Sequence, residues 1–209
     1  MAEPAHSRPL REVDVDPDPV RQFAAWFADA GAAGVRAPEA VAVATASADG
    51  APSVRMVLMK HFDERGFVFF TNHDSRKGRE LTANPRAALL FHWEALGRQV
   101  RIEGPAAPVA ARENEAYVRT RPRASQISAL ASPQSQVIES REWLENRVTE
   151  LALRHPEPGE LPLPERWGGF RVVPERFEFW QHRDDRLHDR LLYTRADGPA
   201  GWRLERLAP

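Results

Sequence analysis

Arg55 and Lys60 bracket the apolar run Met56-Val57-Leu58-Met59. On a strand alternate residues share a face, so an odd spacing turns these two cations to opposite sides. They are either surface cations closing a core strand or two separate anion sites. A second cluster, Asp74-Ser75-Arg76-Lys77-Gly78, opens a helical pattern. Asp74 or Ser75 can cap that helix, and Arg76 and Lys77 then sit in its first turn, where the helix dipole disfavours cations. An anion held among them and the free backbone N–H groups would account for the placement; a solvated basic turn is the plain alternative. Further on, Tyr117 and Arg121 lie four apart on one helical face, and Pro122 turns the chain so that Ser125 can fold back. A phenol, a guanidinium and a hydroxyl suit phosphate, because Arg grips two oxygens at once. A helix C-terminus decorated with arginines explains the same residues. Gln134 and Ser135 sit in a short polar loop, Ser132 to Gln136.

The densest cluster is Trp180 to Arg190, Trp-Gln-His-Arg-Asp-Asp-Arg-Leu-His-Asp-Arg. In an extended segment Arg186, His188 and Arg190 share a face and repel unless an anion offsets them. Asp184, Asp185 and Asp189 can supply the offset internally; a bound phosphate-bearing ligand is the sharper reading. His182, Asp184 and His188 lack any usual metal-ligand spacing, so no metal is expected.

The elements that must carry these residues follow from periodicity. Asp18-Pro19 starts a helix that runs to about Gly31, with Val20, Phe23 and Phe27 on one face. Strands are predicted at Val41–Thr45, Ser53–Lys60, Phe67–Thr71, Ala87–Trp93 and Arg98–Glu103, with a helix from Ser75 to Asn84 among them. Tight turns join most of these, as in an antiparallel barrel or sandwich rather than βαβ repeats. Helices follow at Ala111–Arg119 and Glu139–Arg154, then a Pro-rich connector. Returning strands are predicted at Phe170–Val173, Arg176–Trp180, Leu191–Thr194 and Trp202–Leu207. Residues 1–17, rich in Pro and charge, read as a mobile arm, and residues 18–209 as one domain.

Composition narrows the chemistry. The chain has 209 residues and no cysteine, which excludes thiolate nucleophiles, disulfides and cysteine-held metals. Its 29 basic and 30 acidic residues give a net charge of -1, so no nucleic-acid partner is expected. No apolar run approaches the length of a membrane span and no signal peptide is evident, so a cytoplasmic protein is expected.

Together the segments resemble the pyridoxine (pyridoxamine) 5′-phosphate oxidase family. The resemblance rests on Arg55–Lys60, Phe70-Thr71, Ser75–Lys77, Arg98–Val100, Tyr117 with Arg121–Gln126, Gln134-Ser135, Trp167–Phe170, Glu178–Gln181, Arg186–Arg190 and Arg206–Pro209, in family order over roughly residues 18–209. It implies an FMN-binding split β-barrel, mainly β with flanking helices, with FMN at the interface of a homodimer. The implied reaction oxidises phosphorylated B6 vitamers to pyridoxal 5′-phosphate and reduces O2 to H2O2. The implied FMN contacts are Arg55, Met56, Val57, Leu58, Met59, Lys60, Phe70, Thr71, Arg76, Lys77, Gln99, Gln134, Ser135, Trp180 and Arg190. The substrate phosphate would be held by Lys60, Tyr117, Arg121 and Ser125. Arg186, Leu187 and His188 would lie against its reacting end, with Arg186 and His188 catalytic. Three departures stand out. His182 occupies a position where the family usually has Gly, Phe70 one where it frequently has Tyr, and the arm lacks an Arg-x-x-Tyr element that folds over the substrate in some members. Rival readings are a related flavin oxidase of the phenazine-pathway type and a non-catalytic carrier of FMN or pyridoxal phosphate.

Overall fold

A computed structural model of the chain describes residues 9–196 and 201–209. The chain begins its first helix, α1 (Pro19–Ala32), where Asp18 accepts a hydrogen bond from the Val20 amide at 2.8 Å and Pro19 supplies a preset φ. The apolar stripe of α1 buries Phe23 completely. Its ring meets Phe67, Phe91 and Phe62 edge-on at centroid distances of 4.8, 4.9 and 5.0 Å.

Among the described residues, nine antiparallel strands follow the order β4-β1-β2-β3-β6-β5-β7-β8-β9. They are β1 (Ala40–Ala46), β2 (Pro52–Asp63), β3 (Gly66–Asn72), β4 (Arg86–Trp93), β5 (Arg98–Pro108), β6 (Trp167–Val172), β7 (Arg176–Gln181), β8 (Asp189–Arg195) and β9 (Trp202–Arg206). An additional β4–β5 pairing closes six of them into a barrel. β5 divides its length: Arg98 to Glu103 pairs with β7, while Ala106 to Pro108 pairs with β6. Of the barrel and the sandwich that the short strands and tight turns left open, this is the antiparallel barrel, as the resemblance implies.

Alternation along β2 sorts its residues. Ser53, Arg55, Val57 and Met59 turn inward, whereas Val54, Met56 and Leu58 remain 68, 63 and 43 % exposed. Register places Met56 beside Ala42 and Ala42 beside Leu90, which is itself 38 % exposed. An apolar face therefore crosses β2, β1 and β4 on the outside of the barrel.

Among the described residues four more α-helices follow: α2 (Arg76–Ala83), α3 (Ala111–Thr120), α4 (Arg123–Ala131) and α5 (Arg141–Arg154). α4 was not predicted. Pro122 does end α3, but it also caps a new helix whose small residues show little periodicity. β6 starts three residues before the predicted Phe170, because Gly168 and Gly169 belong to the strand. A Cβ on Gly169 would lie 2.9 Å from the Phe70 ring, so the glycine exists for close approach and not for a turn.

Of the expected mobile arm, residues 1–8 lie outside the described residues. Residues 9–17 rest on the barrel: the Leu10 amide donates to Asp189 at 3.0 Å, and Arg206 pairs with Glu12 at 2.8 Å. No described helix is long and apolar enough to cross a membrane.

Candidate active site

The first cluster lies where α2 meets the barrel. Ser75 caps α2 by accepting from the Gly78 amide at 3.3 Å, which settles the choice left open between Asp74 and Ser75. Lys77 is buried, and its ammonium donates to Thr71 Oγ1 at 3.0 Å and Gln134 Oε1 at 2.8 Å. Thr71 also donates to Gln134 at 2.7 Å, so β3, α2 and the polar loop converge on one point. Ser135 in that loop holds a left-handed φ of 70°, an uncommon backbone for a serine. Burial, with Arg55 nearby, pushes the Lys77 ammonium down to about 8. Its partners are neutral, so the buried charge lacks an anion, and a phosphate would supply one.

Arg55 and Arg76 flank this point through Glu80, which sequence reasoning missed. Glu80 is buried and accepts from Thr45 and Ser53 hydroxyls at 2.5 Å each, from Arg76 at 2.8 Å and from Arg55 at 3.3 Å. These hydrogen bonds and the two guanidinium groups outweigh burial and hold its carboxyl down at about 2. Its spacing of four from Arg76 on α2 was the readable signal.

The second cluster lies on the other side of β2, as the odd spacing of Arg55 and Lys60 predicts. Lys60, Phe70 and Tyr117 line a cleft of about 760 Å³ between β2, β3 and α3. Phe70 stacks on Tyr117 with centroids 3.8 Å apart, and both run nearly parallel to Trp167, at 5.4 and 6.0 Å. The ring of Phe70 thus positions Tyr117. Arg121 lays its guanidinium over Trp167 at 4.5 Å. Its Nη1 is buried without a hydrogen-bond partner. A buried guanidinium nitrogen left unmatched is costly, and an anion between Tyr117 and Arg121 would satisfy it. Burial raises the Tyr117 phenol and, near it, lowers Arg121. Ser125 stands in the first turn of α4, two residues from its start, and is not among the residues lining the cleft.

The third cluster is a row across β5, β7 and β8. Gln99 faces Trp180, and Trp180 faces Arg190. Arg190 donates to Glu178 at 2.7 Å and to the Ala208 carbonyl at 2.8 Å, which fixes it against the C-terminus. His188 packs on Trp180 at 4.6 Å. Arg186 does not continue the row. It ends a turn, with its amide bonded to the Arg183 carbonyl and a φ of 63°, so the expected extended alternation of Arg186, His188 and Arg190 is corrected. The local tight turn overrides the period-2 pattern. Arg186 and Leu187 are exposed.

Among the described residues, the three nearby aspartates form no ion pair with Arg186, His188 or Arg190. Asp189 pairs with Arg206, Asp184 with His182, and Asp185 accepts from the Leu187 amide. Arg186 has no carboxylate partner among the described residues, and Arg190 uses Glu178 instead. Nor, among the described residues, does any hydrogen bond, ion pair or ring contact join Arg186 or His188 to Lys60, Tyr117, Arg121 or Ser125.

Comparisons with known proteins bear on this geometry. The family model described as pyridoxamine 5′-phosphate oxidase matches residues 27–155. A second, described as the pyridoxine 5′-phosphate oxidase C-terminal dimerisation region, matches residues 167–209. A pyridoxine/pyridoxamine 5′-phosphate oxidase from Rubrobacter xylanophilus is 58 % identical, over 96 % of this chain and 91 % of its own. One from Paraburkholderia phytofirmans is 53 % identical, over 96 % and 93 %. The crystal structure of PhzG from Burkholderia lata, in complex with tetrahydrophenazine-1-carboxylic acid, superposes with a TM-score of 0.90 at 36 % identity, covering 98 % of this chain and all of that one.

Proposed function

The chain belongs to the pyridoxamine 5′-phosphate oxidase family, and from that premise we propose that it oxidises pyridoxamine 5′-phosphate or pyridoxine 5′-phosphate to pyridoxal 5′-phosphate. In this reading FMN is the cofactor, and O2 becomes H2O2. The observation that carries it is a pair of unbalanced cationic groups, the buried Lys77 ammonium at Thr71 and the buried Nη1 of Arg121 over Trp167. Each suits one phosphate, and the reaction needs two phosphate-bearing ligands held side by side.

Lys77, Arg76, Thr71, Gln134 and Ser135 would hold the FMN phosphate, with Arg55 braced behind them by Glu80. Met56 to Lys60, Phe70, Gln99, Trp180 and Arg190 would border the remainder of the cofactor. When bound, the flavin supplies a two-electron acceptor that oxygen regenerates. Lys60, Tyr117, Arg121 and Ser125 would anchor the substrate phosphate, and the anchor fixes how far the ring reaches. Arg186, Leu187 and His188 would orient the exocyclic carbon and stabilise charge on the neighbouring ring hydroxyl. With the amine substrate, water completes the balance and ammonia leaves.

Among the described residues no hydrogen bond, ion pair or ring contact links the anchor to the orienting residues, and in this reading a second copy completes each site. The exposed apolar face over Val54, Met56, Leu58 and Leu90 and the match to a dimerisation region support a homodimer. The anchor is tested by comparing pyridoxamine with its phosphate. Phosphate should lower KM strongly in the wild type, and Arg121→Ala should raise that KM roughly 10- to 100-fold, as expected for losing a charged hydrogen bond. Equal KM values for the two forms in the wild type would defeat the assignment. The likeness to PhzG favours a second reading, oxidation of a tricyclic aromatic acid. Lys60, Tyr117 and Arg121, two cations and a phenol, suit the doubly charged phosphate of a B6 vitamer better than the single carboxylate of such an acid.

A further inference from the structure

We propose that His182 is a positioning residue, which together with Trp180 holds the His188 imidazole so that its Nε2–H faces the reacting end of a substrate. The proposal rests on the role given to His188 above. Three rings meet where β7 leaves for β8. His188 lies 4.6 Å from Trp180 and 5.2 Å from His182, centroid to centroid, and His182 lies 6.0 Å from Trp180. Two rings therefore bound His188 from two directions, at distances typical of packed aromatic pairs.

The backbone adds the third constraint. The Arg183 amide donates to His188 Nδ1 at 3.1 Å. An Nδ1 that accepts must carry its lone pair, so the proton of the neutral ring resides on Nε2. One ring edge is thus committed to the turn, and the other is a donor available outside it. His182 is well placed to enforce this. Its own amide donates to the Gly97 carbonyl at 2.8 Å, and the adjacent Gln181 side chain donates to Leu96 and Gly97 carbonyls. The ring at 182 is therefore carried by the anchored end of β7, while His188 lies beyond an exposed turn. Asp184 faces His182 Nε2 at 3.4 Å, and His92 and Glu94 share the adjoining cleft. None of these approaches within hydrogen-bonding distance of His188.

Without the ring at 182, His188 keeps Trp180 but loses one wall, and rotation about its terminal side-chain torsion breaks the bond to Arg183. A misdirected donor lowers kcat while the phosphate anchor preserves KM. The test uses FMN-loaded protein labelled with 15N at histidine. The His188 signals are assigned by their loss in His188→Ala. Wild type should show the Nε2–H tautomer with Nδ1 as acceptor. His182→Ala should show shifts averaged between tautomers and kcat lowered roughly tenfold, with KM unchanged. His182→Phe should restore both. Wild-type His188 signals in His182→Ala overturn the proposal. Should His182→Ala fail to fold or retain flavin, averaged His188 signals in folded His182→Phe overturn it equally. Full turnover in His188→Ala would remove the functional reading of His188, while the NMR comparison still decides whether His182 sets its tautomer.

Discussion

At the residue scale, Lys77 is the most informative side chain. It is a buried cation whose partners are a hydroxyl, a second hydroxyl and an amide oxygen. Burial lowers its ammonium from 10.5 to about 8. The unfolded chain then holds this proton more tightly, so as far as this group decides, stability of the cofactor-free protein rises between about pH 8 and 10.5. A phosphate would reverse the shift by favouring the charged form. FMN binding should therefore take up a proton near pH 8 to 9, and affinity should weaken as pH rises through that range. Calorimetry in two buffers of different ionisation enthalpy measures the uptake. In Lys77→Met the uptake should vanish and Kd should rise roughly 10- to 100-fold. Binding without proton uptake in the wild type would place the phosphate elsewhere.

At the element scale, α2 matters because Glu80 ties it to β1 and β2. One buried carboxylate joins Thr45, Ser53, Arg55 and Arg76. Glu80→Gln should destabilise the protein by about 2–4 kcal/mol in denaturant titrations, since two guanidinium groups lose their counter-charge. Its carboxyl sits near 2 against the usual 4.5, so the stabilisation is complete above about pH 4.5 and is lost as pH falls towards 2. An equally stable Glu80→Gln at pH 7 would mean that the network is dispensable.

The elements were largely legible because barrel strands alternate and turns carry Gly or Asp. α1 and α2 were legible from Asp18-Pro19 and from the Asp74-Ser75 pair ahead of two cations. α4 was not, because small residues such as Ala124, Ala129 and Ala131 give no stripe. The start of β6 was hidden by Gly168 and Gly169, whose role is proximity to His73 and Phe70. Arg186 was misplaced because alternation in sequence says nothing about a turn that forms through Arg183. The pairing of Glu80 with Arg55 depends on inter-element geometry, which no local pattern encodes.

At the scale of the whole molecule, the proposed orienting residues Arg186, Leu187 and His188 follow β7, whereas the proposed anchor residues Lys60, Tyr117, Arg121 and Ser125 belong to β2, to α3 and its C-cap, and to α4. The apolar strip over Val54, Met56, Leu58 and Leu90 is the surface best suited to bring in a second copy. Leu90→Glu puts a charge into that strip and should convert a dimer to a monomer in sedimentation, with loss of bound flavin. A dimeric, flavin-loaded Leu90→Glu would move the interface elsewhere. The central claim concerns the reaction. Purified protein reconstituted with FMN and given pyridoxamine 5′-phosphate in air should form pyridoxal 5′-phosphate and H2O2 in equal amounts. A flavin-loaded protein that produces neither, with either phosphorylated vitamer, would contradict it.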